Sequence, residues 1–361
     1  YIQGMKTHHN DMSSTTEAEY SCIETQLNAH VTAWGHIVNM NKRTQHNFVA
    51  TNNIVPPLYG LRKDHKSFEN VIEGPPLRPV CGAVVSNNMR ISHFLSSILR
   101  PVIALSEDVC DSTDDMLSRV TKCNENDLSG CIVGSMDVEA LYPSIDIDFA
   151  VDKCIELLKD SGIQFTNIDY DELGLFLIFN DTETNLRKVD LLQYCPSRAH
   201  KNGRQPSFTA SGINNNTTLR WRSWIKCLAR PGDITHMITY ALSITLRYTL
   251  KNHVCVFNNQ LFKQLNGGAI GVGIAGDVAT LMMVWWDKQL KSQISGIQMY
   301  GRYVDDIDVV LKTAQDDKTT MQEVQQVANT IHPSIRVIIN YPTNHADGKL
   351  PVLDTKQWIE N

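Results

Sequence analysis

The chain has 361 residues, and its 42% hydrophobic and 20% charged residues are ordinary for a globular protein with a sizeable core. No apolar run reaches 18 residues and the N-terminus is polar, which argues against a membrane-spanning helix and a signal peptide. The nine cysteines include no CxxC pair, which predicts a reducing compartment, and the net charge of −6 does not by itself suggest a nucleic-acid binder.

The first half of the chain alternates polar segments with short apolar runs. The segment of about Glu17–Met40 has a weak helical pattern. The proline-rich segment Val55–Pro79 predicts a loop or an irregular hairpin. Ile91–Leu105 is amphipathic and predicts a helix. Cys131–Asp137 is an apolar run that ends in an acid, which predicts a buried strand delivering a carboxylate, with a helix following over 146–159.

The middle of the chain carries an uneven charge. An acidic and apolar stretch lies within residues 160–235 and is followed by the basic segment Arg187–Arg230. That segment holds nine Lys or Arg and one acidic residue, so it carries +8 and the rest of the chain carries −14. Because local charge decides where polyanions bind, the segment is a candidate nucleic-acid contact.

The second half predicts regular elements in quick succession. His236–Leu250 predicts a helix, and Val254–Leu265 predicts a hairpin that turns at Asn258–Asn259. A glycine-rich stretch then precedes a helix over Asp277–Ile294. Met299–Leu311 predicts two strands.

A helix over Asp316–Ile331 and strands at Ile335–Tyr341 and Pro351–Ile359 close the chain. This mixture predicts an α+β fold.

Two acid-bearing strands are the strongest chemical signal. Asp137 follows one apolar strand, and Asp305 and Asp306 are expected at the tip of a hairpin between two others. Neighbouring carboxylates repel unless a cation lies between them, and hard oxygen ligands suit Mg²⁺. Two such ions about 3.5–4 Å apart activate a 3′-hydroxyl and stabilise a leaving pyrophosphate.

One motif resembles the signature of reverse transcriptases, and five further ordered motifs resemble those of the Penelope-like retroelements in particular. YVDD resembles the palm signature, MDVEALYPSI resembles the first acidic motif, and PLYGLRKDHK and PPLRPV resemble two boxes near the N-terminus. VFNNQLFKQLNGGAIG and LPVLDTKQWI are similar to the glycine motif and to the motif that follows the palm. The motifs occur in the family's order from Leu58 to Ile359.

The resemblance implies roles for residues of the palm. Asp137, Asp305 and Asp306 would hold two Mg²⁺ ions, for which Mn²⁺ is a substitute, and catalyse nucleotidyl transfer. Tyr142 would be a steric gate whose ring excludes a 2′-hydroxyl and so favours dNTPs. Lys349 is the nearest candidate for a proton donor to pyrophosphate.

The resemblance also implies nucleotide contacts elsewhere. Lys63, Lys66 and Arg78 match basic positions of the fingers and would neutralise the triphosphate. Gly271, together with the Gly267–Gly268 pair, would let the backbone approach the nascent base pair.

The densest part of the basic segment mixes charge with aromatic rings. Arg220, Arg222, Trp224 and Lys226 would contact the RNA template or the RNA–DNA hybrid, because cations bind phosphates while aromatic faces stack on bases. A solvated loop with locally packed Trp side chains is the alternative.

The resemblance predicts a right-hand polymerase core with fingers and palm around an antiparallel palm sheet. We expect an N-terminal polar and helical extension at 1–50, fingers at 51–130, and a palm at 131–361 with a large insert at about 160–235. The thumb would be incomplete or absent, and the chain would be part of a longer protein. The expected activity is RNA-directed DNA polymerisation inside the cell, nuclear or cytoplasmic, on an RNA template, a DNA primer and dNTPs.

Other interpretations stay open at this point. GVGIAG fits a dinucleotide-binding GxGxxG pattern, although no apolar strand runs straight into it. DVEALYPSI also resembles DNA polymerases of family B. Viral RNA-dependent RNA polymerases are a further alternative, although they usually show GDD where this chain has YVDD. A catalytically decayed or domesticated nucleic-acid-binding protein derived from a reverse transcriptase is the non-enzymatic alternative.

Overall fold

The computed structural model describes residues 12–37, 42–49, 54–62, 77–83, 86–161, 163–171, 174–180, 186–190 and 234–360. The helices are α1 (Glu17–Ile37), α2 (Lys42–Phe48), α3 (Met89–Ala104), α4 (Thr113–Cys123), α5 (Leu141–Ser144), α6 (Ile147–Asp160), α7 (Ile234–Lys251), α8 (Gly273–Gln293) and α9 (Asp317–Ile331). The first strands are β1 (Met12–Ser14), β2 (Leu58–Arg62), β3 (Leu77–Cys81), β4 (Cys131–Val138), β5 (Gln164–Asp171), β6 (Gly174–Asn180) and β7 (Leu186–Asp190). The remaining strands are β8 (Val254–Phe257), β9 (Gln260–Gln264), β10 (Ile297–Tyr303), β11 (Asp306–Lys312), β12 (Val337–Asn340), β13 (Leu350–Val352) and β14 (Thr355–Gln357).

The chain divides into two compact units. Unit 1 comprises residues 1–100 and 147–278, and unit 2 comprises residues 101–146 and 279–361. The predicted division into an N-terminal extension, fingers and palm follows different boundaries and stays a prediction. Within the part of the chain that the structure describes, none of the helices has the length and apolar composition that a bilayer crossing needs.

Unit 1 is built from α1 and α7 with a small antiparallel sheet of order β1-β9-β8. A cluster of Tyr20, Ile23 and Val254 joins these elements, because each presents an apolar face to the others. Phe94 of α3 lies edge-on to the ring of Trp34, with 4.9 Å between the ring centroids. Aromatic burial of this kind supplies much of the stabilisation of a core.

The predicted irregular hairpin and the predicted insert lie in unit 1. Strands β2 and β3 pair in antiparallel register at the two ends of Val55–Pro79, so the hairpin prediction is confirmed where the structure describes it. Part of the insert forms a three-stranded antiparallel sheet of order β5-β6-β7, where the sequence predicted no elements.

Unit 2 is organised around a four-stranded antiparallel sheet of order β10-β11-β4-β12. Helix α9 lies close against β4, and the sulfur of Met321 occupies the space that a Cβ at Gly134 would need. On one face of the sheet, Val133, Met299 and Val310 form a buried cluster with Leu350 and Val352 of the last hairpin. This core holds the strand ends that carry the acidic residues.

Two predicted boundaries are wrong. Pro351–Ile359 is a hairpin of β13 and β14 instead of one strand, and its turn contains Leu353 with a φ of 50°. The helix expected from Asp277 begins earlier, at Gly273. The first error arises because a positive φ at a leucine leaves no trace of a turn in the sequence.

Candidate active site

The strand register of unit 2 brings two predicted carboxylates together. Asp306, the first residue of β11, is directly opposite Asp137, near the end of β4. Residues opposite each other in an antiparallel pair have Cα atoms about 4.5–5.5 Å apart and side chains on the same face. Asp305 lies in the adjoining turn, and its carbonyl oxygen accepts a hydrogen bond from the Val138 amide at 3.1 Å. Asp137, Asp305 and Asp306 are called the three site carboxylates below.

The hairpin turn has a strained backbone. The pairing of Tyr303 with Asp306 closes β10 and β11, so the turn consists of Val304 and Asp305. The prediction that Asp305 and Asp306 form the turn is therefore wrong by one residue. Val304 has a φ of 57°, a conformation that costs a β-branched residue roughly 1–3 kcal/mol and persists only where surrounding structure enforces it.

The electrostatics of the site disfavour negative charge. Burial, together with the nearby charges of Asp305 and Asp137, raises the pKa of the Asp306 carboxyl to about 6. A cation at this edge of the sheet would oppose both effects, since it favours the ionised carboxylate. The carboxylates therefore form a site that gains from binding a positive charge.

The donor set fits a cation that is shared with a substrate. Among the described residues, no three His, Cys, Asp or Glu side chains lie close enough to bind one metal ion as a group. Mg²⁺ in phosphoryl-transfer sites is usually held by one or two carboxylates together with water and substrate phosphates. The facing pair of Asp137 and Asp306 supplies that number of ligands, with Asp305 beside it.

Tyr142 follows the acid-bearing strand on a short helix. Ala140 at the start of α5 has a φ of 48°, and this left-handed residue turns the chain sharply after β4. The Glu139 amide donates to the Arg336 carbonyl at 2.8 Å, which fixes the end of β4 beside the last strand of the sheet. Tyr142 is half-buried there, and its role as a gate stays a prediction.

Asp308 is a buried acid whose surroundings were not predicted. It lies two residues beyond Asp306 on β11, so both side chains are on the same face, and it is paired with Ser135. Its Oδ2 accepts a hydrogen bond from Nε2 of Gln357 at 2.6 Å, and its Oδ1 has no hydrogen-bond partner within the described part of the chain. Burial raises the pKa of Asp308 to about 6. Asp306 and Asp308 are two residues apart, and this spacing is the sequence signal that could have placed Asp308 on the same face of the strand as Asp306.

The nucleotide-binding residues predicted in unit 1 are only partly described. Arg78 is exposed on β3, opposite Leu61. Gly271 has a φ of +104°, and a Cβ there would collide with the carbonyl oxygen of Cys81. The need for glycine at this position therefore has a cause within unit 1, and an approach to a base pair stays a prediction.

Six of the predicted contacts with nucleic acid or nucleotide lie outside the described residues. They are Lys63, Lys66, Arg220, Arg222, Trp224 and Lys226. Lys349, the candidate proton donor, is described: its Nζ lies 3.8 Å from the ring centroid of Trp358, a cation–π contact.

The dinucleotide-binding alternative does not fit the structure. A Rossmann unit requires a parallel strand that runs directly into the glycine motif. The preceding strand, β9, ends at Gln264 and pairs in antiparallel orientation with β8 and β1.

Comparison with solved structures identifies the type of fold. No family model and no curated protein matches the sequence. Telomerase from Candida albicans, in complex with a TWJ fragment of telomeric RNA, aligns with a TM-score of 0.50 at 10% identity, over 99% of this chain and 47% of that chain. The chain has a polymerase-like fold. At this identity the likeness extends to the fold alone.

Two further structures align at lower scores. Apo telomerase from Candida tropicalis gives a TM-score of 0.49 at 10% identity, over 83% of this chain and 46% of that chain. The RNA-dependent RNA polymerase of BmCPV at its quiescent state gives 0.45 at 10% identity, over 92% and 25%. This chain thus spans less than half the length of each of these three structures.

Proposed function

We propose that this chain is the core of an RNA-directed DNA polymerase of a Penelope-like retroelement, which adds dNTPs to a primer 3′ end. The observation that carries the proposal is the register of Asp306 opposite Asp137, with Asp305 in the adjoining turn. The polymerase-like fold supports a nucleotidyltransferase, and the five ordered sequence motifs support the reverse transcriptase and its retroelement class.

The three site carboxylates would hold two Mg²⁺ ions, or Mn²⁺ in their place. Bound there, the ions would supply charge neutralisation for the attacking and leaving oxygens. The chain's own contribution is positioning: the sheet register aligns Asp137 with Asp306, and the buried surroundings strengthen electrostatic interactions at the site. Tyr142, on the helix that follows β4, would contact the sugar of the incoming nucleotide.

The partners would be an RNA template, a DNA primer and dNTPs. In this proposal Arg78, Lys63 and Lys66 neutralise the triphosphate, and the basic segment binds the template inside the nucleus or cytoplasm. Changing Arg220, Arg222 and Lys226 to Glu should weaken RNA binding and flatten its dependence on salt concentration. Unchanged affinity and salt slope would remove the basic segment from the proposal.

The decisive experiment is primer extension on an RNA template with Mg²⁺, first with dNTPs and then with rNTPs. Asp305→Ala and Asp306→Asn should each lower extension about a thousandfold or more, equivalent to roughly 4 kcal/mol of transition-state stabilisation. Asp111→Asn is the matched control, because Asp111 is an exposed carboxylate of unit 2 in the loop before α4.

Each outcome of this experiment has a clear meaning. Extension with dNTPs that is lost in the site variants and kept in Asp111→Asn supports the proposal. Extension with rNTPs alone indicates an RNA polymerase instead. RNA binding without extension, repeated on a longer chain, indicates the decayed or domesticated binder.

A further inference from the structure

A fully buried ion pair lies directly behind the strained turn. The side chains of Arg302 and Asp287 are both completely buried, and Nε of Arg302 donates to Oδ2 of Asp287 at 2.8 Å. Arg302 is the second-last residue of β10, and Asp287 lies on α8. Burying two charges is expensive, and apolar side chains of similar size often serve as well for stability, so the pair invites a functional explanation.

The guanidinium of Arg302 binds the backbone of the turn itself. Its Nη1 donates to the carbonyl oxygen of Val304 at 3.0 Å, and its Nη2 donates to the carbonyl oxygen of Thr280 on α8 at 3.3 Å. Arg302 thus connects Asp287, the helix backbone and the turn through three separate donor atoms. Arginine suits this task because its planar group presents donors in a fixed fork, which a lysine ammonium cannot reproduce.

The Arg302 guanidinium lies on the face of the sheet opposite the three site carboxylates. Arg302 is paired with Ile307, whereas Tyr303 is paired with Asp306, and neighbouring residues of a strand point to opposite faces. The guanidinium therefore lies behind the sheet, and its contact with the site runs through the turn backbone.

The ion pair is itself held in place. The hydroxyl of Tyr300 donates to Oδ1 of Asp287 at 2.6 Å, so both carboxylate oxygens of Asp287 accept a strong hydrogen bond. The backbone amide of Arg302 donates to the Asp108 carbonyl at 2.8 Å, and Nζ of Lys291 donates to the Asp108 carboxylate at 2.6 Å. A side chain fixed at so many atoms can impose a conformation on its neighbour.

The turn needs such an anchor, because its sequence does not favour its shape. Two-residue hairpin turns with positive φ normally use glycine, asparagine or aspartate at the position that Val304 occupies. A β-branched residue resists that conformation, so local sequence preference opposes the observed turn.

We propose that Arg302 is a positioning residue, which anchors the Val304 turn from behind the sheet and so holds the three site carboxylates in register. Arg302 would not touch substrate or metal. The part of this inference that concerns catalysis rests on the proposed polymerase function, whereas the anchoring of the turn does not.

The test compares two variants. One carries Arg302→Lys alone, which keeps the positive charge, and the other carries Arg302→Lys together with Val304→Asn. Asparagine adopts positive φ more readily than valine, so it lowers the need for the anchor. Arg302→Lys should lower the kcat of primer extension about 10- to 100-fold while the KM for dNTP changes less than about threefold. In the Val304→Asn background, the fold-loss in kcat caused by Arg302→Lys should be at least about fivefold smaller.

A second readout does not depend on activity. Hydrogen–deuterium exchange of peptides spanning 297–312 should be faster in Arg302→Lys than in the parent, and the addition of Val304→Asn should restore protection. Arg336→Lys is the matched control, because Arg336 is an exposed arginine of unit 2 just before β12, a strand that pairs with β4 and not with β10 or β11. This control should match the parent in kcat and in exchange.

The two readouts separate the two proposals. Unchanged exchange in Arg302→Lys overturns the anchor, as does an equal loss of kcat in both Val304 backgrounds. If the parent extends no primer, also when repeated on a longer chain, the polymerase proposal fails, and the exchange data still decide whether Arg302 anchors the turn. Loss of kcat accompanied by a general fall in melting temperature and no local change in exchange also overturns the inference.

Discussion

We expect His30 to make the stability of unit 1 dependent on pH. His30 lies on α1, and its Nδ1 is 3.4 Å from the hydroxyl oxygen of Thr245. That hydroxyl accepts a hydrogen bond from Nε1 of the buried Trp34 at 3.0 Å, which leaves its own proton for Nδ1 of a neutral His30. Protonation of His30 would leave two hydrogens facing each other between Nδ1 and the Thr245 hydroxyl, and it would place a charge in a buried site. Burial therefore lowers the pKa of His30 to about 4.

The size of the effect follows from linkage. Because the folded pKa lies below the ordinary 6.5, the unfolded chain binds more protons between these values, and stability is lost as the pH falls. From pH 7.5 to pH 5 this group alone should lower the free energy of unfolding by about 2 kcal/mol. In His30→Asn, which keeps an acceptor for Thr245, that part of the dependence should disappear.

The assay is urea unfolding of the parent and of His30→Asn, followed by far-ultraviolet circular dichroism at pH 7.5 and pH 5. The relevant quantity is the difference between the two proteins in the change with pH, since other groups titrate in both. His236→Gln is the matched control, because His236 is an exposed histidine on α7, the helix that carries Thr245. An equal pH dependence in the parent and in His30→Asn would refute the reasoning.

Three further predictions concern other parts of the chain. Gly271→Ala should destabilise unit 1 by about 2–4 kcal/mol in thermal or urea unfolding, because the new Cβ meets the Cys81 carbonyl at a positive φ; a change below about 0.5 kcal/mol would contradict the close approach. Gln357→Leu should cost about 1–3 kcal/mol at pH 8, because it removes the hydrogen bond to the buried Asp308, and less at pH 5, where that carboxyl is protonated; an equal cost at both pH values would count against an ionised Asp308. Tyr142→Ala should increase incorporation of rNTPs relative to dNTPs in primer extension, and an unchanged ratio would remove the gate.

Elements with strong local signals were predicted close to their observed bounds. The amphipathic pattern of Ile91–Leu105 is confirmed by α3, and the hairpin expected to turn at Asn258–Asn259 is confirmed by β8 and β9. Asn258 and Asn259 have φ values of 49° and 60°, which asparagine tolerates well. Where the residue type itself favours the local conformation, the sequence is sufficient to place the turn.

Elements without such signals were not predicted. The turn between β13 and β14 contains Leu353 at positive φ, so the segment resembles one extended strand when only its sequence is considered. At the hairpin of β10 and β11 the turn was expected one residue too late, at Asp305–Asp306, because the positive φ of Val304 conflicts with its residue type. In both cases tertiary contacts override local preference, as they commonly do at sites under functional constraint.

The sequence by itself determined that Asp137 ends an apolar strand and that two adjacent acids lie in or next to the turn of a hairpin. Only the tertiary structure decided that β4 lies between β11 and β12, which places Asp137 opposite Asp306. The contact between β10 and α8 likewise decided that Arg302 meets Asp287 behind the sheet. The physical reason is that alternation and helical periodicity depend on near neighbours in the chain, whereas strand order and register depend on which faces are buried together.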